Sequence, residues 1–338
     1  MTGRKLLIVG GGFAGMALAI RMREIGWAVD LVEVDPEWRV YGAGISITAP
    51  TFRAFQRLGL VEELIAGGFA SDQGVRICAP TGQVVAEMPA RPIAPGLPTM
   101  GGIMRPILQE ILSRRTRAAG VNVRLGVTLR SYTEQGEQVR VETSDGMSDD
   151  YSLVVAADGA FSKMRSLVFP AAPAPQYTGQ YCWRLVASRP PEIEGVYFYV
   201  AGTVTAGVMP TSATQMYMFL LQAEPQKVRI DESTQWQHLQ QLMAPFSGLL
   251  GTLRDGLSAN SVIICRPLDA ILLPRPWHRG RVLLIGDAVH RFEQRRWERC
   301  RLVVENSVRI GRMEQTHADP AALKTLMAES EAALREDI

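Results

Sequence analysis

The sequence predicts an α/β fold in which a parallel, three-layer sheet is interrupted by an inserted antiparallel β-sheet and followed by C-terminal helices. Three observations predict it. A short apolar run, Lys5 to Val9, leads directly into three spaced glycines, Gly10, Gly12 and Gly15. Two later apolar runs, Leu153 to Ala157 and Arg281 to Ile285, lead into acids, Asp158 and Asp287. From Tyr177 to about Leu221 the texture changes to aromatic-rich alternation. Unbroken apolar runs suit parallel strands buried on both faces, whereas alternation suits antiparallel strands whose two faces differ.

The first run opens a βαβ unit. Met16 to Ile25 reads as the helix, and Ala28 to Val32 as the second strand, ending at Glu33. GxGxxG at a strand-to-helix turn with an acid about twenty residues on is the dinucleotide fingerprint. Gly10 permits the tight turn, Gly12 lets backbone approach a pyrophosphate, and Gly15 lets helix pack on strand. Phe13 and Ala14 lie between them, where helix N–H groups and the positive end of the dipole face the phosphates. Glu33 can accept hydrogen bonds from ribose hydroxyls. The motif does not choose between NAD and FAD.

Bulk composition narrows the class. With 338 residues, 47% hydrophobic and 21% charged, the chain has room for about two domains. A formal charge of +2 gives no case for nucleic acid or an anionic membrane. Cys78, Cys182, Cys265 and Cys300 are far apart, with no CxxC pair, which argues against a disulfide framework or a metal site. The N-terminal apolar run is too short for a signal peptide, and no stretch reaches the roughly 20 apolar residues of a membrane span. A cytoplasmic protein, monomeric or homodimeric, is expected.

Two later acids extend the pattern. Asp158-Gly159 continues to Ser162 and Arg165, and Gly286-Asp287 continues to His290. Both acids stand at the carboxyl ends of strands, where open α/β sheets bind ligands; for Asp158 a helix cap is the structural alternative. With Gly42 to Ser46, the Arg53 to Leu60 stretch and Met104-Arg105-Pro106 in the same order, the chain resembles the single-component (group A) FAD-dependent aromatic monooxygenases of the para-hydroxybenzoate hydroxylase fold. The resemblance runs almost continuously to His290.

That resemblance implies FAD, with NADH or NADPH as co-substrate. It implies monooxygenation of a small phenolic or heteroaromatic ring by O2 through a flavin C4a-hydroperoxide. Gly10, Gly12 and Gly15 would hold the pyrophosphate and Glu33 the ribose. Gly44 and Ile45 would run beside the flavin, and Arg105 would bind the FAD linker, with a surface arginine as the alternative. Asp158 would serve FAD and NAD(P)H, and Gly286 with Asp287 the ribityl chain or pyrophosphate. The family often places Arg or Lys after the acid; Val34 stands there instead. The implied organisation is an FAD-binding domain in three parts (1–75, 101–170 and 271–292), substrate-domain strands at 76–100, an antiparallel substrate domain at 171–270, and C-terminal helices at 293–338.

In the antiparallel region Tyr181, Trp183 and Arg184, with Met209-Pro210 at a turn, are candidates to line the substrate pocket. Sheet aromatics are more often core, and Arg184 has both a substrate carboxylate and an ordinary salt bridge as readings. Two functional alternatives stay open: another reaction on the same fold, or a flavin-binding protein without turnover. The Trp-x-Trp-x-Ile-Pro stretch of halogenases is absent.

One junction departs from the family pattern. After His290 the expected Pro, Gly-rich loop and Glu-Asp-Ala helix do not follow; Arg291-Phe-Glu-Gln294 does. A few tens of residues of the natural protein are expected to be missing there. Arg295 to Arg301, interleaved with Glu298 and followed by Leu302 to Val304, reads as an amphipathic helix, and Pro320 opens a final one.

Overall fold

The computed structural model describes residues 4–40, 42–202, 204–286, 302, 305–306, 309–311, 313 and 320–335. The first elements are β1 (Lys5–Val9), α1 (Phe13–Glu24), β2 (Ala28–Glu33), β3 (Gly44–Thr48), α2 (Ala49–Arg57), α3 (Val61–Gly67), β4 (Phe69–Ser71), β5 (Val75–Cys78), β6 (Val84–Met88), β7 (Met100–Met104) and α4 (Arg105–Ala118). Next come β8 (Asn122–Leu125), β9 (Leu129–Gln135), β10 (Gln138–Thr143), β11 (Ser148–Tyr151), β12 (Leu153–Ala156) and α5 (Lys163–Val168). The remainder is β13 (Gln176–Ser188), β14 (Val196–Ala201), β15 (Val204–Pro210), β16 (Gln215–Ala223), α6 (Gln235–Leu242), α7 (Gly248–Asp255), β17 (Ile263–Ala270), β18 (His278–Arg279), β19 (Val282–Leu284) and α8 (Pro320–Arg335). Helix α1 begins three residues before the expected Met16, because Gly12 itself is its cap. Asp287, His290 and the segment from Arg291 to Arg301 lie outside the described residues.

The chain forms two compact units. The first comprises Met1–Tyr41, Leu108–Gln176 and Ala270–Arg301. Its six-stranded sheet has the order β18-β19-β12-β1-β2-β8 and is parallel except for the β18–β19 pair. Leu7, Val9, Val154 and Ala156 pack in one cluster with Val139, Val141 and Tyr151 of the β9–β11 sheet. Helix α1 buries Gly15, Met16, Ala19 and Ile20. Helix, parallel sheet and small antiparallel sheet make the three layers. Each fully buried Leu, Ile or Val contributes about 1.5–3 kcal/mol of transfer free energy.

The second unit comprises Gly42–Ile107, Tyr177–Asp269 and Leu302–Ile338. A seven-stranded sheet, β17-β13-β16-β15-β14-β5-β6, is its centre, and β3, β7 and β4 form a small sheet. Residues 42–75 and 101–107, expected with the cofactor domain, cluster with this unit instead. The reason is close packing: a Cβ on Gly102 of β7 would lie 2.3 Å from the Pro210 carbonyl oxygen and 3.0 Å from Met209 Cγ. One face of the large sheet buries Tyr181, Trp183, Met218 and Leu220 in a core with Leu239, Phe246 and Leu250. Among the described residues no helix is long and apolar enough to cross a membrane.

Candidate flavin and substrate sites

In the first unit the three motif glycines are set by contact. Gly10 has φ +108° and donates its N–H to the Val32 carbonyl at 2.8 Å; a Cβ there would lie 2.5 Å from the Ala157 oxygen. A Cβ on Gly15 would lie 2.1 Å from the Gly10 oxygen. Gly12 differs. Among the described residues its Cβ would meet nothing within 4 Å, and it starts α1 with no side-chain cap. Among the described residues the first helical N–H groups, those of Phe13 and Ala14 among them, thus have no side-chain cap, which is what an anion at a helix N-terminus needs.

Glu33 at the end of β2 organises this turn. Its Oε2 accepts the Gly11 N–H at 2.6 Å and its Oε1 accepts the Asp35 N–H at 2.9 Å. Trp38, which sequence reasoning missed, completes the clamp from the same loop. It is buried, its indole N–H donates to the Gly11 carbonyl at 2.7 Å, and its own carbonyl accepts from Gln109 Nε2 at 3.1 Å. The one sequence signal was a tryptophan set among the charged residues Asp35, Glu37 and Arg39. Val34, where the family often has a cation, is exposed.

Asp158 uses both carboxylate oxygens within its own loop: one accepts the Ser162 hydroxyl at 2.6 Å, the other the Met164 N–H at 3.0 Å. Ser162 caps α5 through the Arg165 N–H. The helix-cap alternative is thus present in the geometry. A cavity lined by Asp158, Gly159, Ser162, Arg165, Leu273 and Ile285 lies beside it. Gly286 has φ +92°.

In the second unit Gly44 opens β3 in tight contact with the large sheet: a Cβ would lie 2.8 Å from both Thr211 Cγ2 and Tyr217 Cβ. Ile45 pairs with Ile103. Arg105 begins α4, with its N–H on the Ala43 carbonyl at 3.2 Å. Burial and then the neighbouring Arg184 charge hold Arg105 below the ordinary arginine range.

Tyr181, Trp183 and Arg184 do not share a pocket. Successive strand residues point to opposite faces. Tyr181 and Trp183 enter the core with α6 and α7; Tyr181 donates its hydroxyl to the Val228 carbonyl and Trp183 its indole N–H to Gln222 Oε1. Arg184 lies on the other face beside Tyr217, whose hydroxyl is pushed up to about 12, chiefly by burial. Met209 is buried in a cluster with Ala43 and Tyr217, and Pro210 ends β15 against Gly102. Tyr217 and Thr211 were not singled out from the sequence.

A family model for the FAD binding domain matches residues 4–293. The chain belongs to that family. This FAD-binding protein is 27% identical over 335 residues to the aurachin C monooxygenase/isomerase of Stigmatella aurantiaca, covering 97% of this chain and 85% of the relative. It is 28% identical over 318 residues to the 2-heptyl-3-hydroxy-4(1H)-quinolone synthase of Pseudomonas aeruginosa, covering 91% and 80%. Klebsiella pneumoniae HpxO complexed with FAD and uric acid superimposes with a TM-score of 0.71 at 21% identity, covering 98% of this chain and 85% of that one. The protein is an FAD-dependent monooxygenase of the group A aromatic hydroxylase type. The residues present fit the cofactor: open space at Gly12, an uncapped α1 and the Glu33 carboxylate stand together in one unit.

Proposed function

We propose that the protein consumes NADH or NADPH to hydroxylate a small phenolic or heteroaromatic compound. The observation that carries this reading is the open, uncapped start of α1 beside Glu33, in a chain matched by the FAD family over residues 4–293. A relative named for a hydroxyquinolone supports the heteroaromatic option.

Bound FAD would supply the redox chemistry that links NAD(P)H oxidation to O2, with one oxygen atom going to the ring and the other to water. The chain's own groups bind and orient. The N–H groups of Phe13 and Ala14, with Gly10, Gly12 and Gly15 giving access, hold the pyrophosphate, and Glu33 accepts the ribose hydroxyls on its remaining lone pairs. Arg105 binds the FAD linker, Gly44 and Ile45 run beside the flavin, and Gly286 and Asp158 close the cofactor loops. Asp287 is assigned with Gly286 on the motif alone. The apolar wall of Ala43, Met209 and Phe219 excludes water from the ring.

The test is a screen of phenols and quinolones with NADH and with NADPH, following reductant loss, peroxide and product mass. Aromatic-dependent consumption should give a product heavier by one oxygen atom. Should all reducing equivalents appear as peroxide with every compound, the hydroxylase reading fails.

A further inference from the structure

A cavity of the second unit is lined by polar groups that no proposed cofactor or substrate contact uses. It lies where the helical turn Glu232–Thr234 and the start of α6 meet β17, the terminal strand on one side of the large sheet. Its volume is about 140 Å³. Space of that order takes a molecule of about six heavy atoms. Ile263 and Ile264 give it a firm base, the one packed into the core with Leu239 and Phe246, the other against the cluster of Met209 and Tyr217.

Gln235 decides the character of this cavity. The residue is 6% exposed, and among the described residues its amide has no hydrogen-bond partner. A buried amide left without partners calls for an explanation, and a polar ligand is one. The neighbouring Trp236 indole N–H is also unpartnered among the described residues. Ser261 accepts the Ser258 N–H at 3.0 Å, which leaves its own hydroxyl proton to donate. Two opposite charges complete the lining, the Glu232 carboxylate and the Arg266 guanidinium. Elsewhere such groups pair, as Arg76 does with Glu87 and Arg140 with Asp150. Among the described residues neither Glu232 nor Arg266 has an ion pair, with the other or with a third group. Arg266 Nη1 donates to the Cys265 carbonyl at 2.9 Å, so the guanidinium is anchored with N–H groups to spare.

An occupant of this cavity meets a carboxylate and a guanidinium that do not reach each other. A molecule carrying a cation and an anion one carbon apart satisfies both at once through charge-assisted hydrogen bonds. With about six heavy atoms, that description is a small α-amino acid. We infer that the cavity binds such an amino acid as its zwitterion, the ammonium on Glu232, the carboxylate on Arg266 and the Trp236 N–H, and a short side chain against Ile263 and Ile264. The Gln235 amide, which both donates and accepts, bridges the two charged groups of the ligand. This site is independent of the hydroxylase reading.

The experiment is a ligand-observed NMR titration of the FAD-loaded protein with glycine, L-alanine and L-valine. Each is run beside its amide, which keeps only the cation, and its deamino acid (acetate, propionate or 3-methylbutanoate), which keeps only the anion. The tightest of the three amino acids should saturate the protein below roughly 10 mM and bind roughly tenfold or more tighter than either of its analogues. E232Q should bring that amino acid and its deamino acid to similar affinity, and R266Q should do the same for the amino acid and its amide. Both side chains are exposed, so these variants leave the core intact. Q235L should weaken the amino acid several-fold with FAD content unchanged, and the wild-type ratios decide even if Q235L does not fold. No saturable binding of any of the three amino acids overturns the inference, and so does equal affinity for the amino acid and its analogues. A preference for the zwitterion that survives both E232Q and R266Q places the binding elsewhere and overturns it as well.

Discussion

The Trp38 indole N–H donates to the Gly11 carbonyl at 2.7 Å, tying the loop after β2 to the middle of the glycine turn. Glu33 holds the N–H of the same residue, so Gly11 is fixed from both sides by one short stretch of chain. Trp38 has φ +51°, an uncommon and costly conformation for a bulky residue, and Gln109 on its carbonyl and Arg117 over its ring at 5.1 Å oppose that cost. This loop sits where the family often supplies a cation after the acid.

Trp38→Phe keeps an aromatic ring and removes the donor. The buried Gly11 carbonyl loses its partner, which costs about 1–3 kcal/mol of folding stability. The turn must then be ordered when FAD binds, so its affinity should fall roughly tenfold. Urea unfolding of the apoprotein and a fluorescence titration with FAD measure the two effects. Unchanged affinity would mean that Glu33 alone holds the turn.

Gly12 and Gly15 separate cofactor access from packing. A methyl on Gly15 overlaps the Gly10 carbonyl at 2.1 Å, so Gly15→Ala must displace α1 from β1 and should give little folded protein. Among the described residues a methyl on Gly12 meets no atom within 4 Å. Gly12→Ala should therefore fold with a melting temperature near wild type while losing most FAD affinity, because the methyl fills the space the pyrophosphate needs. Normal FAD content in purified Gly12→Ala would place the phosphates elsewhere.

These glycines were legible because their meaning is local: a strand, a turn and a helix lie within twenty residues. The parallel and antiparallel sheets were legible from continuous against alternating apolarity. Trp38, Thr211 and Tyr217 were not, since each acquires its role from a residue distant in sequence, Gln109, Gly44 and Arg184 among them. The grouping of Tyr181, Trp183 and Arg184 ignored the pleat. A motif read as a string placed neighbours together that a strand sends to opposite faces. That residues 42–75 cluster with the second unit was hidden for a related reason, since the closeness of Gly102 to Pro210 has no signature in either segment alone.

Acid should unfold part of the first unit through Asp145. The Arg124 guanidinium and then the Thr143 hydroxyl hold this carboxyl at about 2, against an ordinary value of 3.8. A depressed carboxyl contributes stability that is complete above its unfolded value and lost as pH falls through its folded one. The contribution should thus be present at neutral pH and disappear between about pH 4 and pH 2. Asp145→Asn should unfold at lower urea than wild type at neutral pH, and the two midpoints should converge near pH 2. Parallel curves across that window would exclude Asp145 as the titrating group.

Neighbouring residues 183 and 184 should behave as members of two different structures. Trp183 is among the largest fully buried side chains, with its indole N–H on Gln222 and its ring edge-on to His238 at 6.5 Å. Trp183→Ala opens a large cavity in the core under α6 and α7 and strands the Gln222 oxygen, at a cost of about 3–5 kcal/mol. Arg184 is half-buried next to another cation, so Arg184→Gln removes like-charge repulsion along with a long hydrogen bond. Its net effect on unfolding should stay under about 1 kcal/mol. Trp183→Phe, which refills most of the cavity, should recover much of the lost stability. Urea unfolding of the three variants tests the pleat directly. An Arg184→Gln protein that loses as much stability as Trp183→Ala would place both side chains in one core.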